Sequence, residues 1–132
     1  MELGAHRWLP VVVLTVAVLG LVLTESILAA RGTAEITRPE QNETVSGIVE
    51  VWGTATDDNM AYYQLEYSTY GRAWTVIGSG HRAGQVQHGI LGVWDTRRLP
   101  PGRYQLRLSV ADTLGNHNQN TVEVIVAPDS AR

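Results

Sequence analysis

The stretch Gly47-Ile48-Val49-Glu50-Val51-Trp52-Gly53 decides the fold class of this chain. Apolar and polar side chains alternate along it, and a glycine closes each end. Such alternation is typical of a β-strand with one buried and one exposed face, because successive side chains point to opposite sides of a strand. We therefore predict a strand at this position and expect its partners to be strands as well.

The same alternation recurs along the rest of the chain after Ala34. It is clearest at 63–67, 104–110 and 122–126, and each of these stretches is bounded by Gly, Pro, Asn or Asp. Weaker strands are predicted near 34–38, 73–78 and 85–94, which gives about seven strands at roughly ten-residue spacing. The pattern predicts an all-β, two-sheet sandwich over residues 35–127, followed by a short tail at 128–132.

The N-terminal part of the chain has a different character, since Trp8 to Leu23 contain no charged residue. As a helix, residues 8–30 would reach about 34 Å, enough for a hydrocarbon core of about 30 Å. We predict a transmembrane helix at 8–30 that serves as a signal anchor, with an N-terminus at 1–7 before it and a linker at 31–34 after it. A cleaved signal peptide is the alternative.

Charges near the helix predict its orientation. Arg7 lies before the apolar run, which favours a cytoplasmic N-terminus and places the β domain outside the cell, in the periplasm or the extracellular space. Glu25 would then lie near the far interface, where a carboxylate is tolerated. The sequence thus predicts a single-pass protein of the cell membrane.

Composition excludes several classes of function. At 132 residues there is room for one folded domain. The chain has no cysteine, so disulfides, thiolate metal sites and catalytic thiols are excluded. Its formal net charge of −3 offers no case for the basic face that nucleic acid requires, and we expect no nucleic-acid partner.

Three runs carry a resemblance to a known family: Gly47-x-Val49-x-Val51-x-Gly53-Thr54-Ala55-x-Asp57-x-Asn59, Leu91-x-x-Trp94-Asp95-Thr96 and Leu99-Pro100-x-Gly102-x-Tyr104-x-Leu106-Arg107-Leu108. In this order they resemble the immunoglobulin-like (fibronectin-III-like) modules of bacterial cell-surface and cell-wall proteins. The resemblance implies an immunoglobulin-like sandwich and brings no catalytic residues with it. It also implies a tyrosine corner at Tyr104 and core or core-edge positions for Trp74 and Trp94.

The two outer sheet faces are expected to differ. The strands at 63–67, 104–110 and 122–126 should pair in one sheet and present a polar face with cross-strand charge pairs. On the strand at 47–53, the family pattern turns Val49 and Val51 inward, so the outward residues are Ile48, Glu50 and Trp52. An exposed Trp beside an Ile is the kind of anchor found at interface hot spots.

We therefore predict a partner interface at Ile48, Glu50 and Trp52, with Glu25 as a second contact if it faces a neighbouring helix. The alternative is that Trp52 is covered by the first strand, by the linker or by the membrane surface.

The sequence contains few candidate residues for catalysis or metal binding. The four histidines are scattered without metal-ligand spacing, and there is no nucleophile elbow or phosphate loop. Asp57, Asp58, Asp112 and Asn116 offer oxygen ligands on loops; we interpret them as turn-forming and leave calcium binding open. Asn42 begins an Asn-x-Thr glycosylation sequon, which matters only in a host that uses it. We expect no catalytic, metal or cofactor site and no enzyme.

The expected function is non-enzymatic: a small accessory subunit that docks onto a larger integral membrane protein complex in the lipid bilayer. The alternative is a cell-surface module that binds glycan or cell wall through Trp52 with Tyr62 or Tyr70, possible also for a chain secreted after signal cleavage. Several exposed aromatic side chains aligned on one face would favour the alternative.

Overall fold

The computed structural model describes residues 32–128. The predicted cytoplasmic N-terminus, the transmembrane helix at 8–30 with Glu25, the first linker residue and the last four residues of the predicted tail lie outside this range. Within it every regular element is a strand, and no helix is long and apolar enough to cross a membrane. The prediction of an all-β domain is confirmed.

Eight strands follow one another along residues 32–128. They are β1 (Gly32–Arg38), β2 (Thr44–Val45), β3 (Ile48–Asp57), β4 (Met60–Ser68), β5 (Thr75–Val76), β6 (Val86–Asp95), β7 (Gly102–Asp112) and β8 (His117–Val126). Seven of them include the predicted stretches at least in part. The eighth, β2, has two residues and therefore no alternation that a sequence pattern can detect.

The strands form two sheets with the orders β1-β3-β6 and β2-β8-β7-β4-β5. We call them the three-stranded and the five-stranded sheet. All strand pairs are antiparallel except β2 with β8, which are parallel. The chain leaves β1 through a cis peptide bond between Arg38 and Pro39 and enters the other sheet at β2.

The core lies between the two sheets and is filled by the inward side chains of both. Fully buried members include Val51, Leu91 and Trp94 from the three-stranded sheet and Leu65, Leu106, Leu108 and Val124 from the five-stranded sheet. Each such side chain stabilises the fold by about 1.5–3 kcal/mol through removal of apolar surface from water. The inward orientation predicted for Val51 is confirmed, and Val49 packs against the same core.

Several strands extend beyond the stretches that alternate in sequence. β8 begins at His117, although its apolar alternation begins only at Val122, because the polar residues 117–121 still pair with β7 through backbone groups. Strand pairing needs backbone donors and acceptors, while alternation reports only side-chain burial. Sequence patterns therefore find the buried part of such a strand and miss its polar end.

The corner before β7 is closed by Tyr104, whose hydroxyl donates a hydrogen bond to the carbonyl oxygen of Pro100 at 2.7 Å. The ring is buried and meets Trp94 edge-on, with ring centroids 6.1 Å apart. This is the contact that a tyrosine corner requires. It joins the loop after β6 to the core.

Candidate functional site

The residues of the predicted interface lie on the outer face of the three-stranded sheet. Ile48 is 59% exposed and Glu50 is exposed, as expected from the alternation. Trp52, by contrast, is half-buried, so the expectation of an exposed Trp anchor is corrected to a partly exposed one.

The neighbours of Trp52 on both adjacent strands explain its partial burial. In the sheet register Trp52 lies opposite Ile90 on β6 and opposite Arg38 on β1. Both neighbours point to the same outer face, so their side chains flank the indole ring. The first strand, through Arg38, therefore covers Trp52 in part, which agrees with one of the alternatives given above.

Sequence reasoning missed two members of this face, Ile90 and Val93. They are 46% and 48% exposed, and Val93 lies opposite Glu50. A β-bulge explains the miss: Val51 pairs with Gly92 and Trp52 with Ile90, so Leu91 is an extra residue and points into the core. The outward residues of β6 are consequently three positions apart, and simple alternation cannot locate them.

We call the set Ile48, Trp52, Ile90 and Val93 the outer apolar face. Two acidic residues adjoin it: Glu50 lies opposite Val93, and Asp95 lies opposite Ile48. The side chain of Arg97 donates to Asp95, and this hydrogen bond is the main cause that lowers the pKa of the Asp95 carboxyl to about 2. The Asp95 carboxylate therefore stays ionised at any physiological pH.

The outer face of the five-stranded sheet has a different character, because its charges are paired across strands. Arg107 donates to Glu66 at 2.9 Å, and Arg103 donates to Glu123 at 2.6 Å. Trp74 lies over the Arg107 guanidinium instead of in the core, and it is half-buried. The expected cross-strand pairs are confirmed, and Trp74, expected at a core or core-edge position, lies half-buried on the outer face.

Trp74 lies in the loop between β4 and β5, directly before β5. The strand that follows is only Thr75–Val76, so the Trp precedes it and is not part of its inward face. Its ring finds a cationic partner, which is favourable because the guanidinium is attracted to the face of the indole. The family pattern includes this Trp, but it does not indicate on which side of the sheet the ring lies.

The acidic loops predicted as turn-forming meet at one end of the sandwich. The backbone N–H of Thr113 donates to the carbonyl oxygen of Asn59 at 2.8 Å, which joins the β7–β8 turn to the β3–β4 turn. Asp57 accepts from the N–H of Asn59, and Asp112 accepts from the N–H groups of Leu114 and Asn116. These contacts fit the interpretation of turn-forming carboxylates.

Asp58 is exposed at the same turn. Within residues 32–128, no group of three His, Asp or Glu side chains is placed to hold a metal ion.

The aromatic side chains expected for a glycan platform lie apart. Trp52 belongs to the three-stranded sheet, while Tyr62 lies in β4 of the other sheet and stacks on His81 with ring centroids 3.6 Å apart. Tyr70 lies beyond the opposite end of β4. The three rings therefore do not form one surface.

Comparisons with known proteins give a likeness in fold. No family model matches the chain, and no curated protein matches it. Among solved structures, it is similar to an endo-β-1,4-mannanase from Thermotoga petrophila, with a TM-score of 0.57 and 19% sequence identity. The likeness covers 74% of this chain and 20% of the mannanase chain. At this identity it shows the fold alone.

This likeness corrects the expectation that the protein is not an enzyme. That expectation rested on missing motifs and on a fold taken to be non-catalytic, yet the similar structure belongs to a glycosidase. The chain spans about a fifth of the mannanase chain. The fold therefore gives no ground for placing this protein outside the enzymes, and the likeness assigns a role to none of its residues.

Proposed function

We propose that the protein is a docking module, a β-sandwich whose outer apolar face binds a larger integral membrane protein complex. In this proposal residues 8–30 form a single-pass helix in the lipid bilayer, and the sandwich lies on the extracytoplasmic side. Glu25 would be a second contact within the complex. The sandwich is of the immunoglobulin-like, fibronectin-III-like type found in bacterial cell-surface proteins.

The outer apolar face is the observation that carries the proposal. Ile48, Ile90 and Val93 are each between 46% and 59% exposed, and the half-buried Trp52 lies directly opposite Ile90. Several exposed apolar side chains on one sheet face of a small domain are typical of a protein–protein contact. A partner that covers these side chains would remove their apolar surface from water.

The contrast between the two sheets supports the choice of this face. On the five-stranded sheet the outward charges are already paired with each other, as in Arg103–Glu123 and Arg107–Glu66. Such a face is satisfied in water and gains little from a partner. The three-stranded sheet combines exposed aliphatic side chains with Glu50 and Arg38, and therefore favours a partner patch that is apolar with complementary charges at its rim.

The order of the strands supports the immunoglobulin-like type. One sheet has β1, β3 and β6 and the other has β8, β7 and β4 at its centre, with the corner closed by Tyr104. In the mannanase, the similar region is a fifth of a longer chain. That arrangement agrees with a module that works beside a larger protein.

The proposal is tested by co-purification from membranes dissolved in mild detergent. The variant Val93→Lys places a cation in the outer apolar face, where it can pair with Glu50 on the neighbouring strand and so preserve the fold. The matched control is Val76→Lys, which changes an exposed Val of the five-stranded sheet. We expect integral membrane partners to be lost from Val93→Lys and retained by Val76→Lys.

Equal recovery of partners with both variants would contradict the choice of face. A wild-type chain that purifies free of integral membrane proteins would contradict the docking function itself.

A further inference from the structure

Two adjoining hollows lie where the β4–β5 loop approaches the corner before β7. The first has a volume of about 510 Å³ and is lined by Ser68, Thr69, Tyr70, Arg72 and Ala73. The second has a volume of about 560 Å³, and its lining includes Thr69, Tyr70, Pro100, Pro101, Arg103 and Glu123. Both volumes are in the range of ligand-binding clefts, about 300–1,000 Å³.

Tyr70 is shared by the two hollows and is 86% exposed. The turn beneath it is held in place: Gly71 has a φ of 69°, and its N–H donates to the Ser68 hydroxyl at 2.9 Å. A Cβ at Gly71 would lie 2.6 Å from Oε1 of Gln105, and the positive φ favours glycine at this position. The loop therefore presents the Tyr70 ring to solvent instead of folding it onto the sheet.

Polar groups lie beside the ring in the second hollow. The Arg103 guanidinium donates to Glu123 at 2.6 Å and to the side-chain oxygen of Asn42 at 3.4 Å. The exposed side chains of Thr69 and Arg72 add a hydroxyl and a second guanidinium. The hollows thus offer both donors and acceptors.

We propose that this groove binds a polysaccharide chain, with Tyr70 stacked on the apolar face of one sugar ring and neighbouring sugars in the two hollows. Sugar hydroxyls both donate and accept hydrogen bonds, which matches a wall of hydroxyls, guanidinium and carboxylate. Glu123 neutralises Arg103 in the second hollow, and Arg72 lines the first. The groove belongs to the five-stranded sheet and is independent of the outer apolar face.

The experiment is affinity electrophoresis of the full-length chain in mild detergent, through gels that contain soluble galactomannan, xylan, hydroxyethyl cellulose or polygalacturonate. At least one neutral polysaccharide should retard the protein. Tyr70→Ala should weaken that binding by about tenfold, since it removes the stacking ring. Because Tyr70 is so exposed, the variant should fold like the wild type, which circular dichroism verifies.

Tyr62→Ala is the matched control, since Tyr62 lies at the other end of β4 and should not affect retardation. Val93→Lys should also leave retardation unchanged, so that failure of this proposal and failure of the docking proposal are distinguishable. The proposal is overturned if no neutral polysaccharide retards the protein or if Tyr70→Ala binds like the wild type. Tyr70-dependent binding of a fluorescent oligoproline without any polysaccharide binding would overturn it in favour of a peptide site.

Discussion

The guanidinium carbon of Arg107 lies 3.8 Å from the centre of the Trp74 ring. The same guanidinium donates to Glu66 at 2.9 Å, and the side chains of this ion pair are only 20% and 10% exposed. Trp74 therefore covers a cross-strand ion pair on the outer face of the five-stranded sheet. A covered pair is less screened by water and salt than an exposed one, and it depends on its cover.

Replacing Trp74 should consequently destabilise the domain although it is not a core residue. For Trp74→Ala we expect the free energy of unfolding to fall by about 1–2 kcal/mol. The cation–π contact is lost, and the ion pair becomes exposed to solvent. Trp74→Tyr should keep most of the stability. Urea denaturation in mild detergent measures both, and an unchanged midpoint for Trp74→Ala would show that the cover is dispensable.

The Tyr104 hydroxyl should stabilise the fold through its hydrogen bond to Pro100. Tyr104→Phe should lower the free energy of unfolding by about 1 kcal/mol at neutral pH, since this bond is lost while the ring is kept. Thermal denaturation measures the change. Equal melting temperatures would mean that water replaces the bond at no cost.

The same tyrosine predicts a dependence on alkaline pH. Burial, and to a smaller extent the neighbouring Tyr67, raises the pKa of Tyr104 above its ordinary value of 10.0. Above pH 10 the folded chain then holds a proton that the unfolded chain loses, so this contribution is complete below pH 10 and disappears as pH rises through the folded pKa. The stability difference between wild type and Tyr104→Phe should therefore shrink above pH 10, and a constant difference would contradict the raised pKa.

At acid pH the informative group is Asp95. Hydrogen bonds from Arg97 hold the pKa of its carboxyl at about 2, below the ordinary 3.8. Its stabilising contribution is present above pH 3.8 and is lost as the pH falls towards 2; it is small, since both side chains are exposed. Carboxyl NMR should give a midpoint near 2 that moves towards 3.8 in Arg97→Gln, and a wild-type midpoint near 3.8 would refute the contact.

Gly53 should be intolerant of substitution because the backbone of the neighbouring strand β1 lies close to it. A Cβ at this position would collide with the backbone carbonyl of Glu35, which a strand cannot easily move. Gly53→Ala should destabilise the domain by about 1–3 kcal/mol. The matched control is Gly89→Ala, whose Cβ would lie 3.2 Å from Val86 Cγ1 and 3.8 Å from the Gln87 carbonyl oxygen. Similar losses in the two variants would refute the close approach.

Sequence could predict the sandwich because its core-facing positions alternate, as Val49 and Val51 do on β3. It could predict Ile48 and Glu50 on an outer face for the same reason. It could not predict that Ile90 and Val93 join them, since the bulge at Leu91 breaks the alternation of β6.

Three further features could not be predicted from the sequence, also for physical reasons. The half-buried state of Trp52 depends on neighbours from two strands far along the chain, and a strand of two residues such as β2 leaves no periodic signal. The hollows beside Tyr70 arise from two loops that only the fold brings together.

The central claim, that the outer apolar face docks onto a membrane protein, is tested most directly by photocrosslinking in living cells. Benzoylphenylalanine placed at position 93 should crosslink to an integral membrane protein, while the same group at position 76 should not. This result would place the partner on the three-stranded sheet. Crosslinks from position 76 alone, equal crosslinks from both positions, or none from position 93 would contradict the claim.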